Sequence, residues 1–249
     1  MPNNYFQFKQ FKVYQEHCAM KVCTDACLFG SLLPTSSGGG GAIKHVLDIG
    51  AGTGLLSLMY AQKNTNAIID AVEIDEAAAM EAAQNFAASP WKEKLHVCHT
   101  SVQQFLPVRQ AGNQSTNQLY DLILSNPPFF ENDLRSDDNK RNLALHSTEL
   151  CLKDLLTNIS RLLKEDGSFA VLLPYHRSEY FEQLAITIKY FLLEKVVVRQ
   201  TPKHPYFRSM MQFGRSNTIA KEKEIIIRQE DGQYTAEFID LLKDYYLYL

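Results

Sequence analysis

The sequence predicts an α/β protein whose mostly parallel sheet carries helices on both faces. Short apolar runs alternate along the 249 residues with stretches of helical periodicity, which is the order that a parallel sheet requires. A glycine-rich turn joins the first run to the first helix, and a hydrophobic share of 45% is ample for one core. The first five predicted strands are 46–49, 67–74, 95–99, 120–125 and 168–173.

Helices are predicted between these strands. The first spans 55–62 after the glycines, the second spans 76–88, and a longer one over 150–164 ends near Gly167. The chain closes with an amphipathic helix over 234–249. The apolar face of that helix, which we expect in the core, consists of Phe238, Leu241, Leu242 and Tyr245.

Two further strands are predicted late in the chain, which brings the total to seven. Residues 192–200 and 224–228 are apolar, and the basic, aromatic stretch 201–221 between them is predicted as a long loop. Because that connection has no clear helical pattern, we expect the two strands to pair antiparallel at one edge of the sheet.

The chain divides at a flexible connector. Residues 34–41 include four consecutive glycines, a composition typical of mobile linkers. We therefore expect an N-terminal segment, residues 1–41, and one α/β domain, residues 42–249.

The glycine-rich turn predicts a nucleotide-like cofactor. Gly50, Gly52 and Gly54 follow the first strand, and their missing Cβ atoms let the backbone approach a ligand closely. Glu73 ends the second strand about 20 residues later, where an acid binds two ribose hydroxyls; Asp75 is predicted to cap the next helix. No Lys-Ser/Thr pair follows, which argues against a phosphate loop. A nicotinamide site is the alternative, but no later segment suggests a substrate domain.

The segment 124–130, Leu-Ser-Asn-Pro-Pro-Phe-Phe, predicts recognition of a planar NH2 group. The lone pair of such a nitrogen is delocalised, so it becomes a nucleophile only when its two N–H bonds meet aimed acceptors. The side-chain oxygen of Asn126 and the carbonyl of Pro127 are the candidates, since prolines stiffen the turn. Phe129 is predicted to stack on the flat target. With the cofactor turn, this motif indicates methyl transfer to an amino or amide nitrogen.

Composition narrows the partners. The net charge is −3, but residues 189–228 hold nine Lys or Arg and three Glu, a local net charge of +6 that suits a phosphate backbone. The alternative for this stretch is a solvated hairpin. We expect a cytoplasmic protein, because no apolar run approaches 18 residues and residues 1–10 do not form a signal peptide. We also expect a monomer. Five scattered cysteines indicate reduced thiols, and no metal is expected.

These motifs resemble the class I methyltransferases that use S-adenosylmethionine, and more narrowly the bacterial enzymes that methylate N6 of adenine 37 in valine tRNA. The resemblance covers nearly the whole chain and implies their Rossmann-like seven-stranded sheet. Four stretches carry the narrower resemblance: the aromatic segment 6–11, the Lys-Val-Cys-Thr-Asp segment within 20–30, Ala-Leu-His-Ser at 144–147 and Asp-Tyr-Tyr-Leu at 244–247.

The resemblance implies a role for each matching residue. Lys21, Thr24 and Asp25, with Asp48, Gly50 and Gly52, would lie at the methionine end of the cofactor, and Glu73 at its ribose. Ser101 stands where many methyltransferases place an aspartate against the adenine amine. Asn126 would also face the cofactor. The base-contacting turn would include Pro128 and Phe130, and the stretch 201–208 with Lys203 and Arg208 would face tRNA.

Other functions fit parts of the pattern. Glutamine methyltransferases of release factors use Asn-Pro-Pro-Tyr on a similar core, but they usually carry a longer N-terminal helical domain. Guanine-N2 methyltransferases of ribosomal RNA use Asn-Pro-Pro-Phe, often with a duplicated domain that this sequence lacks. A non-catalytic RNA-binding protein with a decayed fold is the third alternative, and the intact glycines, Glu73 and Asn126 argue against it.

Overall fold

The computed structural model of the chain describes residues 4–18, 20–111, 114–117, 119–127 and 152–249, with the backbone alone described for 108–111 and 114–117. None of the helices within these ranges combines the length and apolar composition needed to cross a membrane. The elements in chain order are β1 (Tyr5–Gln7), β2 (Lys12–Tyr14), α1 (Thr24–Leu32), β3 (His45–Ile49), α2 (Leu55–Lys63), β4 (Ile68–Glu73), α3 (Glu76–Ala87), β5 (Leu95–His99), β6 (Val108–Ala111), β7 (Gln114–Asn117), β8 (Tyr120–Ser125), α4 (Leu152–Leu162), β9 (Leu163–Pro174), α5 (Ser178–Thr187), β10 (Phe191–Arg199), β11 (Tyr206–Gly214), β12 (Lys221–Ile226) and α6 (Ala236–Leu242).

Within the described ranges, eight strands form the central sheet, in the order β12-β10-β11-β9-β8-β3-β4-β5. The five strands β3, β4, β5, β8 and β9 run parallel, so their carboxyl ends all lie on the same side of the molecule. The α/β class and the mostly parallel sheet are confirmed. The strand count is eight and not seven, and the antiparallel strand, β11, lies inside the sheet between β9 and β10 and not at its edge.

The prediction missed β11 because its sequence looks like a surface loop. Tyr206–Gly214 mixes aromatic, basic and polar residues, yet Met210, Met211 and Phe213 are buried. Since β11 runs back between them in the chain, β10 and β12 point the same way and pair in parallel. The expected antiparallel pairing of 192–200 with 224–228 was therefore wrong.

Two predicted helix ends were also wrong. α4 stops at Leu162, and Gly167 lies inside the following strand. A Cβ on Gly167 would come 2.8 Å from Cδ1 of Leu163, so this glycine permits close strand packing and does not cap a helix. The C-terminal helix ends at Leu242; Tyr245 follows in a turn, where it is buried and its hydroxyl donates to the carbonyl of Met59.

Apolar side chains fill both faces of the sheet. Along β9, Ala170 and Leu172 join the cluster under α1, α2 and α6, while Phe169, Val171 and Leu173 join the cluster under α4 and α5. This alternation follows from the two-residue period of a strand. The sheet is therefore covered on both sides, and ligands reach it at the edge where its strands end.

The N-terminal segment packs into the same core. Phe8 is fully buried and stacks on Phe11 at 4.4 Å between ring centroids. Phe6 lies 5.5 Å from the ring of Tyr246, and the backbone N–H of Lys9 donates to the carbonyl of Tyr245 at 2.8 Å. The aromatic segments near the two ends of the chain therefore hold each other against the domain.

Candidate active site

The glycine turn after β3 has two separate tasks. Gly50, Gly52 and Gly54 have φ values of +72°, +55° and +79°, which strain any residue with a side chain. A Cβ on Gly54 would lie 2.4 Å from Cε1 of Phe86, so this position lets α3 pack closely. A Cβ on Gly50 would meet nothing within 4 Å, so the turn opens there to a space that a ligand can enter.

Glu73 is fixed at the end of β4 by two backbone amides. Its Oε2 accepts from Gly52 N at 2.8 Å and its Oε1 accepts from Asp75 N at 2.9 Å, and the residue is only 8% exposed. Each carboxylate oxygen can accept a second hydrogen bond, so a pair of adjacent hydroxyls still finds two acceptors. The predicted cap at Asp75 is confirmed, since its side chain accepts from Ala78 N at 2.8 Å.

Asp48 is a fully buried carboxyl beside the glycine turn. Its Oδ2 accepts from the hydroxyl of Ser57 at 2.7 Å, whereas its Oδ1 accepts no hydrogen bond from the described residues. Burial raises the pKa of Asp48 to about 6; hydrogen bonds from Ser57 oppose that rise and the charge of Glu73 adds to it. A buried oxygen without a donor is costly, so this site fits a cofactor that brings an ammonium group.

Asn126 meets the glycine turn where β8 ends. The hydroxyl of Ser125 donates to the carbonyl of Ile49 at 3.0 Å, which ties the ends of β8 and β3 together. Asn126 is half-buried, and its Oδ1 accepts no hydrogen bond from the described part of the chain. Pro127 is buried beside it. The remaining predicted base contacts, Pro128, Phe129 and Phe130, and the segment 144–147 lie outside the described residues.

Glu81 holds the N-terminal segment beside this cleft. Three consecutive backbone amides donate to its carboxylate, from Glu16 at 2.5 Å, His17 at 3.1 Å and Cys18 at 2.9 Å. The sulfur of Cys18 comes within 3.4 Å of the place where a Cβ on Gly52 would stand. The segment therefore reaches the glycine turn and forms one wall of the cofactor cleft.

Asn85, one helical turn further along α3, also bonds to the backbone of the N-terminal segment. Glu81 and Asn85 together are called the clamp below. Its side chain accepts from Tyr14 N at 2.8 Å and donates to the carbonyls of Tyr14 and Thr53, both at 2.9 Å. Sequence reasoning missed both residues. Their signal was an acid and an amide four positions apart on the alanine-lined face of α3, where apolar residues are expected.

Of the three predicted N-terminal contacts Lys21, Thr24 and Asp25, the first and the last have protein partners. Lys21 is exposed, and its ammonium donates to the carbonyls of Gln15 and Glu16. Thr24 is exposed at the start of α1. Oδ2 of Asp25 accepts from Nε of Arg208 at 2.6 Å, so the structure joins two residues that the sequence assigned to different partners, the cofactor and RNA.

An exposed apolar side chain stands next to Glu73. Ile74 is 48% exposed although it follows a buried strand. Its exposed apolar side chain suits contact with the face of a flat ring. Ser101, after the neighbouring strand β5, is half-buried and its hydroxyl accepts weakly from Gln104 N at 3.4 Å. Sequence reasoning had named Ser101 but not Ile74, whose signal was an apolar residue directly after the predicted ribose-binding acid, Glu73.

The basic stretch 189–228 is partly neutralised by neighbouring acids. Lys203 pairs with Glu230 at 3.0 Å, and both side chains are well exposed. The ion pairs of residues 189–228 include Arg199–Glu224, Lys203–Glu230, Arg208–Asp25, Arg215–Glu165 and Lys223–Glu194.

Within the part of the chain that the structure describes, no group of three or more His, Cys, Asp or Glu is arranged to hold a metal ion.

The sheet order, the glycine turn and the polar groups at the strand ends define a class I methyltransferase, whose methyl donor is S-adenosylmethionine. The family model of the methyltransferase small domain matches residues 26–185. A predicted O-methyltransferase from Agrobacterium tumefaciens, Atu636, has a similar fold with a TM-score of 0.64 over 88% of this chain and 96% of its own, at 15% identity.

Sequence comparison narrows the family. The tRNA1(Val) (adenine(37)-N6)-methyltransferase of Dyadobacter fermentans is 40% identical to this chain over 99% of both. The enzyme of Cytophaga hutchinsonii is 39% identical to this chain over 100% of both chains. The enzyme of Photorhabdus laumondii is also 39% identical, over 98% of this chain and 95% of its own length. The chain belongs to the family of tRNA1(Val) (adenine(37)-N6)-methyltransferases.

Proposed function

We propose that this protein transfers the methyl group of S-adenosylmethionine to N6 of adenine 37 in valine tRNA. The names of full-length relatives support the substrate. One observation carries the chemistry. At the end of β8, beside the glycine turn, Asn126 presents a buried amide oxygen that accepts no hydrogen bond from the described residues. An adenine amino group supplies the donor that this oxygen lacks.

In this mechanism, the two N–H groups of the adenine amino group donate hydrogen bonds to the Asn126 side-chain oxygen and the Pro127 carbonyl. These hydrogen bonds strengthen as the nitrogen becomes pyramidal and attacks, because the N–H groups grow more acidic as charge develops. The cofactor supplies an electrophilic methyl group when it is bound. Phe129 stacks on the base, with Pro128 and Phe130 beside it. The nitrogen loses its proton after transfer, so no strong general base is needed.

In this proposal, three places would hold the cofactor. Glu73 would accept from both ribose hydroxyls, and Ile74 and Ser101 would lie beside the adenine. Asp48, with Gly50 and Gly52, would receive the methionine end, where an ammonium group would supply the donor that Oδ1 of Asp48 lacks. Lys21, Thr24 and Asp25 would close over that end as part of the N-terminal segment 1–41. The domain 42–249 supplies the remaining contacts.

The proposal also covers the setting of the reaction. The enzyme works as a cytoplasmic monomer and needs no metal. Lys203 and Arg208 contact the tRNA backbone. The rival substrates are a release-factor glutamine and a guanine N2 of ribosomal RNA. Both present a planar NH2 group, but the names of the relatives, which match over nearly their full length, specify adenine 37 of tRNA.

The test is methylation of unmodified valine tRNA with labelled S-adenosylmethionine, followed by digestion to nucleosides. We expect label in N6-methyladenosine, and no label when position 37 of the transcript carries guanosine. Parallel reactions contain a release-factor peptide and ribosomal RNA. Label in either of these and not in the tRNA would transfer the assignment to the corresponding rival, and no label in any of them would favour a binding protein without catalysis.

A further inference from the structure

We propose that Tyr175 and Tyr206 form a stacking platform for unpaired nucleotides that flank the target base. This inference rests on the proposed RNA substrate and extends it to a second contact surface. Tyr175 directly follows β9 and Tyr206 begins the adjacent strand β11. Their ring centroids are 5.1 Å apart with planes tilted by 47°, and the side chains are 38% exposed for Tyr175 and half-buried for Tyr206.

The exposure of this pair is unusual for neighbouring aromatic rings in this half of the sheet. Four other rings packed on the same strands are at most 1% exposed and belong to the core. They have the apolar neighbours that aromatic packing requires, whereas the tyrosine pair stands at the rim of the sheet. The four core rings are Phe169, Phe181, Tyr190 and Phe213.

The platform lies on the same edge of the sheet as the site. Val171 of β9 pairs with Ser125 of β8, the residue before Asn126. From that level β9 continues to Pro174, and Tyr175 is the next residue, so the pair lies on the order of 10–13 Å above it at about 3.3 Å per strand residue. This distance corresponds to about four stacked nucleotides at roughly 3.4 Å each. A loop whose adenine enters the site therefore has neighbouring bases within reach of the pair.

Charged groups fix Tyr206 and favour RNA over an apolar protein surface. The guanidinium of Arg199 lies 5.5 Å from the centroid of the Tyr206 ring, and its Nη1 donates to the carbonyl of Pro202 at 2.7 Å. Glu224, which faces the Tyr206 hydroxyl, raises the pKa of the phenol. Lys203, on the turn that leads to Tyr206, is 74% exposed, and its surface ion pair with Glu230 is weak enough for a phosphate to displace it. Exposed rings flanked by cations are the pattern of single-stranded nucleic-acid sites.

The test compares Tyr175→Ala, Tyr206→Ala and their phenylalanine counterparts in steady-state methylation of valine tRNA. Each alanine variant is expected to raise KM for tRNA by about five- to 150-fold, the range that corresponds to loss of one stacking contact. KM for S-adenosylmethionine should not change, and Tyr175→Phe and Tyr206→Phe should behave like the parent. Tyr180→Ala, which removes another exposed tyrosine on α5, is the matched control.

Several results would overturn the platform. Unchanged KM for tRNA in both alanine variants, with the parental melting temperature, would do so. If the alanine variants unfold, the comparison uses Tyr175→Leu and Tyr206→Leu, which keep apolar bulk without a ring; parental KM in these would also reject stacking. A parent that methylates no tRNA would reject the proposed function instead. In that case, anisotropy with a labelled single-stranded RNA of mixed sequence tests the platform by itself, and equal affinity of parent and alanine variants would reject it.

Discussion

The two halves of the sheet use polar residues in opposite ways. Around β3, β4 and α3, the polar groups are buried and bond to the backbone: Glu73 is 8% exposed, Glu81 3% and Asn85 0%. Around β10 to β12, charged side chains pair with each other near the surface, as in Lys203–Glu230 and Lys223–Glu194. Buried charged hydrogen bonds contribute about 1.5–3 kcal/mol each, whereas exposed pairs contribute about 0–1 kcal/mol. We therefore expect the half that carries the glycine turn to be rigid before the cofactor binds, and the other half to exchange its ion pairs for phosphates.

The largest effect is expected where the two halves meet, at Asn126. Asn126→Ala should lower the single-turnover rate about 10²–10³-fold, because it removes an acceptor aimed at the reacting nitrogen. Cofactor affinity and melting temperature should stay at parental values. Asn66→Ala, an exposed asparagine before β4, is the control. Near-parental turnover by Asn126→Ala would reject the proposed mechanism.

Removing the clamp carboxylate should break the rigidity of the cofactor half. Glu81→Ala leaves three backbone amides of residues 16–18 without their acceptor, so we expect a loss of about 2–4 kcal/mol in the free energy of unfolding. Faster proteolysis near residues 14–18 and a higher KM for S-adenosylmethionine should accompany it. Glu81→Gln keeps one acceptor oxygen, so its free energy of unfolding and its KM for S-adenosylmethionine should lie between those of the parent and Glu81→Ala. A fully stable variant with parental KM would mean that the clamp does not position the cleft.

Loss of the predicted ribose contact should have a smaller effect, confined to cofactor affinity. Glu73→Ala removes two charged acceptors, so we expect at least a tenfold loss of cofactor affinity, which corresponds to about 1.4 kcal/mol. Calorimetry measures this directly. Glu76→Ala, an exposed glutamate three residues away, should bind like the parent. Equal affinities for both variants would remove Glu73 from the site.

The buried carboxyl of Asp48 predicts a pH dependence of cofactor binding. Its pKa in the folded chain is about 6, above its usual value of 3.8. The protein without cofactor therefore loses stability from this group as pH rises from about 4 to 6, because the buried carboxyl must ionise. A bound ammonium favours the ionised form, so cofactor affinity should rise up to about tenfold between pH 5 and 7 and then level off. Asp48→Asn should flatten this profile; an identical profile in that variant would assign the effect to another group.

The smallest effect is expected in the exposed half. Lys203→Glu should weaken tRNA binding a few-fold and reduce the slope of log affinity against log salt by about 1, with no change in cofactor affinity. Arg208→Glu should differ, because it places a carboxylate against Asp25 and so disturbs the start of α1 as well. The control is Lys92→Glu, at an exposed position that precedes β5. Equal tRNA affinities of Lys203→Glu and this control would indicate that Lys203 is only solvated.

The glycine turn, Glu73 and the cap at Asp75 were readable from the sequence because each depends on a few consecutive residues. The same holds for the apolar strands β3, β4, β5 and β8, whose predicted bounds agree with the structure to within one or two residues. β11 was not readable, since its composition is that of a loop and its strand form depends on hydrogen bonds from β9 and β10 on either side.

The sequence by itself determined the α/β class, the position of the cofactor turn and the Asn-Pro-Pro-Phe motif, because strand period, glycine conformation and proline stiffness act over short distances along the chain. Only the tertiary structure decided that Glu81 holds amides up to 65 residues away and that Asp25 meets Arg208 across 183 residues. It also decided that Tyr175 meets Tyr206 at the rim. Such contacts follow from which surfaces the completed sheet brings together, and no local pattern encodes them.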